Sequence, residues 1–249
     1  VAAAQLSGGR GLLIEKTRLT GSPSRAGNKL LGDDDDIIQY YQYSAEKGSV
    51  DAQLALGQLS FHGARGMPAD PAAALSYYSR AAEAGEPAAH AHIGHMYAQG
   101  IGVDQDNVTA LRHFRLGAAK GHPAAQNGLG YMYMHGYGVE VSHTRALEYF
   151  RAAADKGNAE AQFNLGAMYV GGTGVKKAFD KALHFFTLAA HQGHTLALYN
   201  LGQMHLNGLG ATRSCSAAAQ FLKAVAERGE WGADLEKAHR AFSAEADPA

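Results

Sequence analysis

Histidine is the side chain in this sequence with the most chemistry to offer. There are 13 in 249 residues, each able to ligate a metal or move a proton near neutral pH. His92 and His95 stand three residues apart in a helical pattern, and His191 and His194 straddle a predicted helix end. A protein metal site needs three or four ligands with a supporting shell, and no cysteine or carboxylate set completes either pair. They read as ordinary surface and interface histidines. No nucleophile elbow, phosphate loop or helical His-Glu-x-x-His pattern is present, so the expectation is a chain without catalysis, cofactor or metal. Asp33 to Asp36 form the densest charge run. Four acids at a helix start are stabilised by the helix dipole, and that reading is preferred over a docking patch or calcium ligand. Asn107-Val108-Thr109 is the only Asn-x-Ser/Thr sequon, at a predicted helix start and hence near the surface, where a glycan can attach. Cys215 is the only cysteine, which excludes an intrachain disulfide and looks cytosolic without excluding a secretory compartment.

The elements that carry these residues are set by glycines. Gly94, Gly130, Gly166 and Gly202 recur every 36 residues, and Gly57 precedes Gly94 by 37. A second series, Gly85, Gly121, Gly157, Gly193 and Gly229, keeps 36 throughout. A period of this length marks a stacked array of one supersecondary unit, an architecture that usually makes binding surfaces. Around the first series runs an apolar stripe at i, i+4, i+7, as in Ala125, Leu129, Met132 and Ala161, Leu165, Met168, which is one face of a helix. The Met96, Met132, Met168, Met204 series belongs to this stripe and reads as core. A glycine inside a helix costs about 1 kcal/mol against alanine, so its recurrence implies a close crossing with a neighbouring helix. A Gly-x-Gly turn follows, stretched in the first unit to Gly63 and Gly66. A second helix then carries a stripe at i, i+3, i+7, such as Leu111, Phe114, Ala118 and Leu147, Phe150, Ala154. Lys120, Lys156 and Arg228 precede the closing glycines, where their charge suits the helix dipole.

The expected fold is all-α: five helical hairpins, about residues 51–86, 87–122, 123–158, 159–194 and 195–230, stacked as a right-handed α/α superhelix. A leading helix precedes them at about 34–47, and 33–231 forms one repeat domain. Residues 1–32 lack the repeat and read as irregular chain, and 232–249 as a capping helix (Ala233 to Phe242) with a tail. A net charge of −1 leaves no basic footprint for nucleic acid. No apolar run approaches the ~20 residues of a membrane span. The chain opens at Val1 without a charged-then-apolar leader, which reads as a mature or internal piece or a cytosolic protein.

In stacked hairpins the first helices generally line the concave side, and two rows of side chains are candidates for a protein-binding groove there. One is Gln58, His95, Tyr131 and Gln203, each just after a helix glycine; the other is His62, Gln99, His135 and Asn207. Their chemistry varies while the stripes stay uniform, as a recognition surface requires; a solvated helix face is the alternative.

The unit from Ala161 to Tyr169, followed by Gly172-Thr173-Gly174-Val175 and Ala182-Leu183-His184-Phe185-Phe186, resembles the Sel-one-like repeat, a relative of the tetratricopeptide repeat. Less generic stretches narrow the resemblance: Asp36 to Tyr43 running into Ala45-Glu46-Lys47-Gly48, the sequon followed by Ala110 to Phe114, and Tyr199 to His205 leading to Arg213-Ser214-Cys215 and Ala226 to Trp231. They are similar to the luminal Sel-one-like/Hrd-three adaptors of endoplasmic-reticulum-associated degradation. The resemblance implies a non-catalytic scaffold in the ER lumen, partnered by a Hrd-type membrane ubiquitin ligase, ER lectins and misfolded glycoproteins. It further implies a glycan on Asn107 and a buried or partly buried free thiol at Cys215. Members of that family carry a signal, further repeats and usually an anchor, so this chain reads as a middle repeat block, with self-association through its repeat ends plausible. A general Sel-one-like scaffold in cytosolic or bacterial signalling is the alternative.

Overall fold

A computed structural model describes residues 33–228, and the expected irregular segment 1–32 and capping helix 233–242 lie outside them. The described residues form eleven helices and no strand: α1 (Asp33–Glu46), α2 (Val50–His62), α3 (Pro71–Glu83), α4 (Pro87–Gln99), α5 (Asn107–Ala119), α6 (Pro123–His135), α7 (His143–Ala154), α8 (Ala159–Gly171), α9 (Phe179–His191), α10 (Thr195–Asn207) and α11 (Cys215–Arg228). The Asp33–Asp36 run opens α1. Each of α2, α4, α6, α8 and α10 packs most extensively on the helix after it, and α3, α5, α7 and α9 pack in turn on the next hairpin. The result is a solenoid of five hairpins led by α1.

Local chemistry sets the helix ends. Ser49, Asp70, Asp106, Ser142 and Asn158 accept backbone N–H bonds of the first turn through their side chains. The first helices stop at a left-handed glycine; at Gly136, φ is 75° and the amide donates to Met132 O. The turn is closed by a bond that recurs in every hairpin. The amide of the residue before each second helix donates to a carbonyl late in the first helix, as in Ser142 N to Tyr133 O at 2.9 Å and Ala178 N to Tyr169 O at 3.0 Å. In the first hairpin the extra residue is absorbed by Arg65, which holds φ at 55°.

The first-helix stripe is buried as expected, from Ala89, Ile93 and Met96 to Ala197, Leu201 and Met204, with the methionines in the core. The close crossing takes another form. What lies over Gly57, Gly94, Gly130 and Gly166 is an aromatic ring: a Cβ on Gly130 would sit 2.5 Å from Phe150 Cδ1, and one on Gly166 would sit 2.5 Å from Phe186 Cε1. The expected second-helix stripe is buried at its ring positions and at Leu111 and Ala154, but Leu75, Leu147 and Leu183 are only partly covered. Around Phe150 the fully buried partners are Ala146 and Ala153, with Leu147 only partly covered; around Phe186 they are Ala182 and Ala189. Methyl groups let the helices approach closely enough to seat the ring on the glycine, while the leucines cover the seam. In the last hairpin Ala218 is the buried small residue and Ala219 is exposed.

The cations near the second-helix ends tie hairpins together and do more than answer their own helix dipole. Lys120 Nζ donates to Gly85 O, Lys156 Nζ to Gly121 O, and Arg228 Nη1 to Gly193 O at 3.0 Å, each reaching back 35 residues. At the remaining joint the equivalent residue is Gln192, which instead donates to Gln162 Oε1 at 2.8 Å. Lys156→Met therefore loses one charge-assisted bond at an exposed joint, with an expected cost of about 1 kcal/mol or less in urea unfolding. An unchanged midpoint would show the bond to be exchanged for water without loss.

Candidate protein-binding surface

The first helices of the second and third hairpins stack directly on one another where α4 meets α6, so this part of the surface is built from first helices. On it, Tyr131 and His135 lie one helical turn apart on α6, with ring centroids 4.4 Å apart. Tyr137, from the Gly136-Tyr137-Gly138 turn, completes a triangle at 5.9 Å from Tyr131 and 5.5 Å from His135. Tyr131 and Tyr137 remain 46% and 42% exposed, which is unusual for rings that have close aromatic neighbours. Tyr137 was missed by the row argument because it belongs to the turn; its flanking glycines hold it against the helix.

The rest of the two rows divides by exposure. Gln58, His62, Gln99 and Asn207 are exposed, whereas His95 and Gln203 are half-buried. Burial lowers the pKa of His95, opposed by the Glu160 carboxylate on α8. Burial raises that of Tyr131, reinforced by Tyr137 and Glu160. α4, α6 and α8 thus share an electrostatic neighbourhood. Between α6 and α8, Asn164 Nδ2 donates to Asn127 Oδ1 at 3.1 Å, an interhelical link the sequence rows did not include. In the fourth hairpin the row positions are Ala167 and Gly171, so the surface there is shallow.

Several other histidines serve structure. His194 caps α10 by accepting from Ala197 N at Nδ1, stacks on Phe163 at 4.6 Å, and meets Glu160 Oε2 at 3.0 Å through Nε2. His92 stacks flat on Tyr78 at 4.5 Å, and burial takes its pKa down to about 4. His90 and His113 face each other at 3.1 Å between their Nδ1 atoms. Among the described residues no three His, Cys, Asp or Glu side chains gather as a metal requires. Asn107 is the first residue of α5 and half-buried, beside the Asp106 cap. Cys215 is exposed, against the expectation of burial, because it begins α11 at the edge of the array.

Five consecutive matches to the Sel1 repeat run along this chain, at residues 50–86, 87–122, 123–158, 159–194 and 195–230. The chain belongs to the Sel1-repeat family. Among solved structures, a Sel1 repeat protein from Oxalobacter formigenes superposes with a TM-score of 0.72 at 29% identity, covering 79% of this chain and 78% of that one. The protective antigen c5321 of uropathogenic Escherichia coli does so with a TM-score of 0.65 at 30% identity, covering 80% and 42%. Among curated relatives, mouse protein sel-1 homolog 2 is 42% identical over 81 residues, 32% of this chain and 12% of the relative. The Arabidopsis thaliana ERAD-associated E3 ubiquitin-protein ligase component HRD3A is 36% identical over 93 residues, 36% of this chain and 14% of the relative. The matched stretches therefore span a small part of those relatives, while this Sel1-repeat array is a scaffold of protein-binding type. Among the described residues no helix is long and apolar enough to cross a membrane.

Proposed function

We propose that this Sel1-repeat protein is a non-catalytic adaptor of ER-associated degradation, acting in the ER lumen as a subunit of a Hrd-type ubiquitin ligase complex. The observation that carries the reading is the 36% identity to HRD3A over 93 residues. The sequon at Asn107 supports it, as the site of a glycan added in that compartment. In this reading the face bearing Gln58, His62, His95, Gln99, Tyr131, His135, Gln203 and Asn207 is concave and binds protein. The partners are the ligase, ER lectins and misfolded glycoproteins, and the repeat ends support a homodimer. A second reading, a general scaffold in cytosolic or bacterial signalling, is favoured by the bacterial structures at 29–30% identity over about four fifths of the chain.

Affinity purification of the native protein from detergent-solubilised cells separates the two. Recovery of a membrane ubiquitin ligase with luminal lectins is the expected result, and recovery of cytosolic partners alone would remove the degradation role. Within that assay, Tyr131→Ala with His135→Ala is expected to lower partner recovery about tenfold while the fold persists, since exposed aromatic anchors carry a large share of interface energy. Full recovery would move the binding face elsewhere on the solenoid.

A further inference from the structure

A second surface carries chemistry that the repeat does not require. Two cation pairs keep the 36-residue spacing around the tyrosines of the third and fourth hairpins, Tyr133 and Tyr169: Arg115 and Arg151, and Arg145 and Lys181. The equivalents around Tyr97 are Ser79 and Thr109, and those around His205 are Thr187 and Ala217, so the cations are dispensable to folding a hairpin.

The structure gathers them into two matching cradles. Arg145 Nη1 donates to the Tyr133 hydroxyl at 3.4 Å, with its guanidinium carbon 5.4 Å from the ring centroid. Arg115 reaches the same hydroxyl, and together the two guanidinium groups pull the phenol's pKa below its usual range. One hairpin on, Arg151 Nη2 donates to the Tyr169 hydroxyl at 3.4 Å, and Lys181 Nζ lies 5.4 Å from that ring centroid. Both tyrosine rings are buried and stacked, Tyr133 on Tyr149 at 5.6 Å and Tyr169 on Phe185 at 5.8 Å, so the hydroxyls are fixed in place.

The four cations are exposed, and among the described residues none is in an ion pair. Glu148 lies on α7 midway between Arg145 and Arg151 but bridges to neither. A phenol oxygen takes only a small part of the donor capacity of two guanidinium groups, since each carries five N–H donors. Most of that capacity is turned outward. Holding like charges close together on a chain of net charge −1 is unfavourable unless an anion comes between them.

We propose that this double cradle binds an acidic segment of a partner protein, with two carboxylates entering successive hairpins. Guanidinium forks match carboxylates in shape as well as charge. Packed helices stand about 8–10 Å apart, and an extended chain advances about 3.3–3.6 Å per residue, so the two acids stand three positions apart. Tyr133 lies two residues beyond Tyr131 on α6, which turns the cradle about 200° away from the Tyr131 cluster. The site is therefore separate from the row surface and stands in either compartment.

The test is fluorescence anisotropy of a fluorescein-labelled Gly-Ser peptide carrying two aspartates three residues apart, measured on the whole chain at low ionic strength. Binding that weakens with added salt is expected, with a loss of about tenfold or more in the R145Q/R151Q variant. Far-UV circular dichroism and Tm report that the variant is folded, as exposed substitutions should leave it. A second variant, Arg115→Gln, reads the same cradle from α5 and is expected to weaken binding too. Equal binding of the asparagine version of the peptide would overturn the proposal. So would unchanged affinity in the folded double variant, or equally tight binding of a single-stranded oligonucleotide.

Discussion

Phe150→Ala is expected to cost about 3–5 kcal/mol and to split the unfolding transition of this protein in two. The ring is about 1% exposed and closes the centre of the third hairpin, resting on Gly130 between Ala146 and Ala153. Truncating such a ring loses its transfer free energy and leaves a cavity, and rigid helices collapse into it only partly. In a solenoid each hairpin touches only its neighbours, so the damage falls on the middle of a one-dimensional array and uncouples its halves. Urea unfolding followed by tryptophan-independent far-UV circular dichroism would show a lower midpoint and a broadened or two-step curve. Phe150→Leu should cost only about 1 kcal/mol. The last hairpin supplies the precedent, since Leu222 there covers Gly202 at 2.9 Å from where a Cβ would stand. Gly130→Ala attacks the same contact from below and should cost about 1–3 kcal/mol by displacing the ring. A single sharp transition with an unshifted midpoint in Phe150→Ala would mean that the ring-on-glycine contact is not the centre of the hairpin.

The second large effect is a loss of stability in mild acid. Burial lowers the pKa of His92 to about 4, with the neighbouring His122, His95 and His62 pushing the same way. His113 is likewise lowered to about 4, first by burial and then by His90 and Arg112, while burial also lowers His95 and His122. The unfolded chain takes up these protons near pH 6.5, the folded chain only well below it. Protonation therefore favours unfolding, so the stability is complete above about pH 6.5 and drains as pH falls toward 4. His92 alone should account for about 2–3 kcal/mol at about pH 4.5. His113 is half exposed, and solvent screening reduces its share. Urea midpoints at about pH 7.5 and about pH 4.5 measure the loss. His92→Phe keeps a ring stacked on Tyr78 without a titrating nitrogen, and should flatten the pH dependence. A slope as steep in that variant as in the parent would assign the acid sensitivity to other groups.

Much of this was legible before any coordinates. Helix positions, turn glycines and the buried first-helix stripe follow from the 36-residue period, because every hairpin repeats the same local problem and solves it with the same residues. The second-helix register followed only in part. Leucine and alanine at i, i+3, i+7 read as the core stripe, whereas packing chose the alanines beside the ring, since only small side chains let the ring reach the glycine. Cys215 is a similar case: its type suggests burial, and its place at the edge of the array exposes it.

The two candidate surfaces show the same boundary. Tyr131 and His135 could be placed on one face by helical spacing, but Tyr137 joins them only because the turn folds back on α6. Arg115, Arg145, Arg151 and Lys181 carry the 36-residue spacing openly, yet nothing in a linear pattern says that cations 30 residues apart converge on one hydroxyl. The sequence by itself determined the unit, its count and its helical faces, because those depend on propensities and periods acting over a few residues. Tertiary structure decided which faces became neighbours, which charges were left without partners, and which rings stayed open to solvent. Those depend on how one hairpin is set against the next, and that geometry is the sum of contacts spread across the whole array.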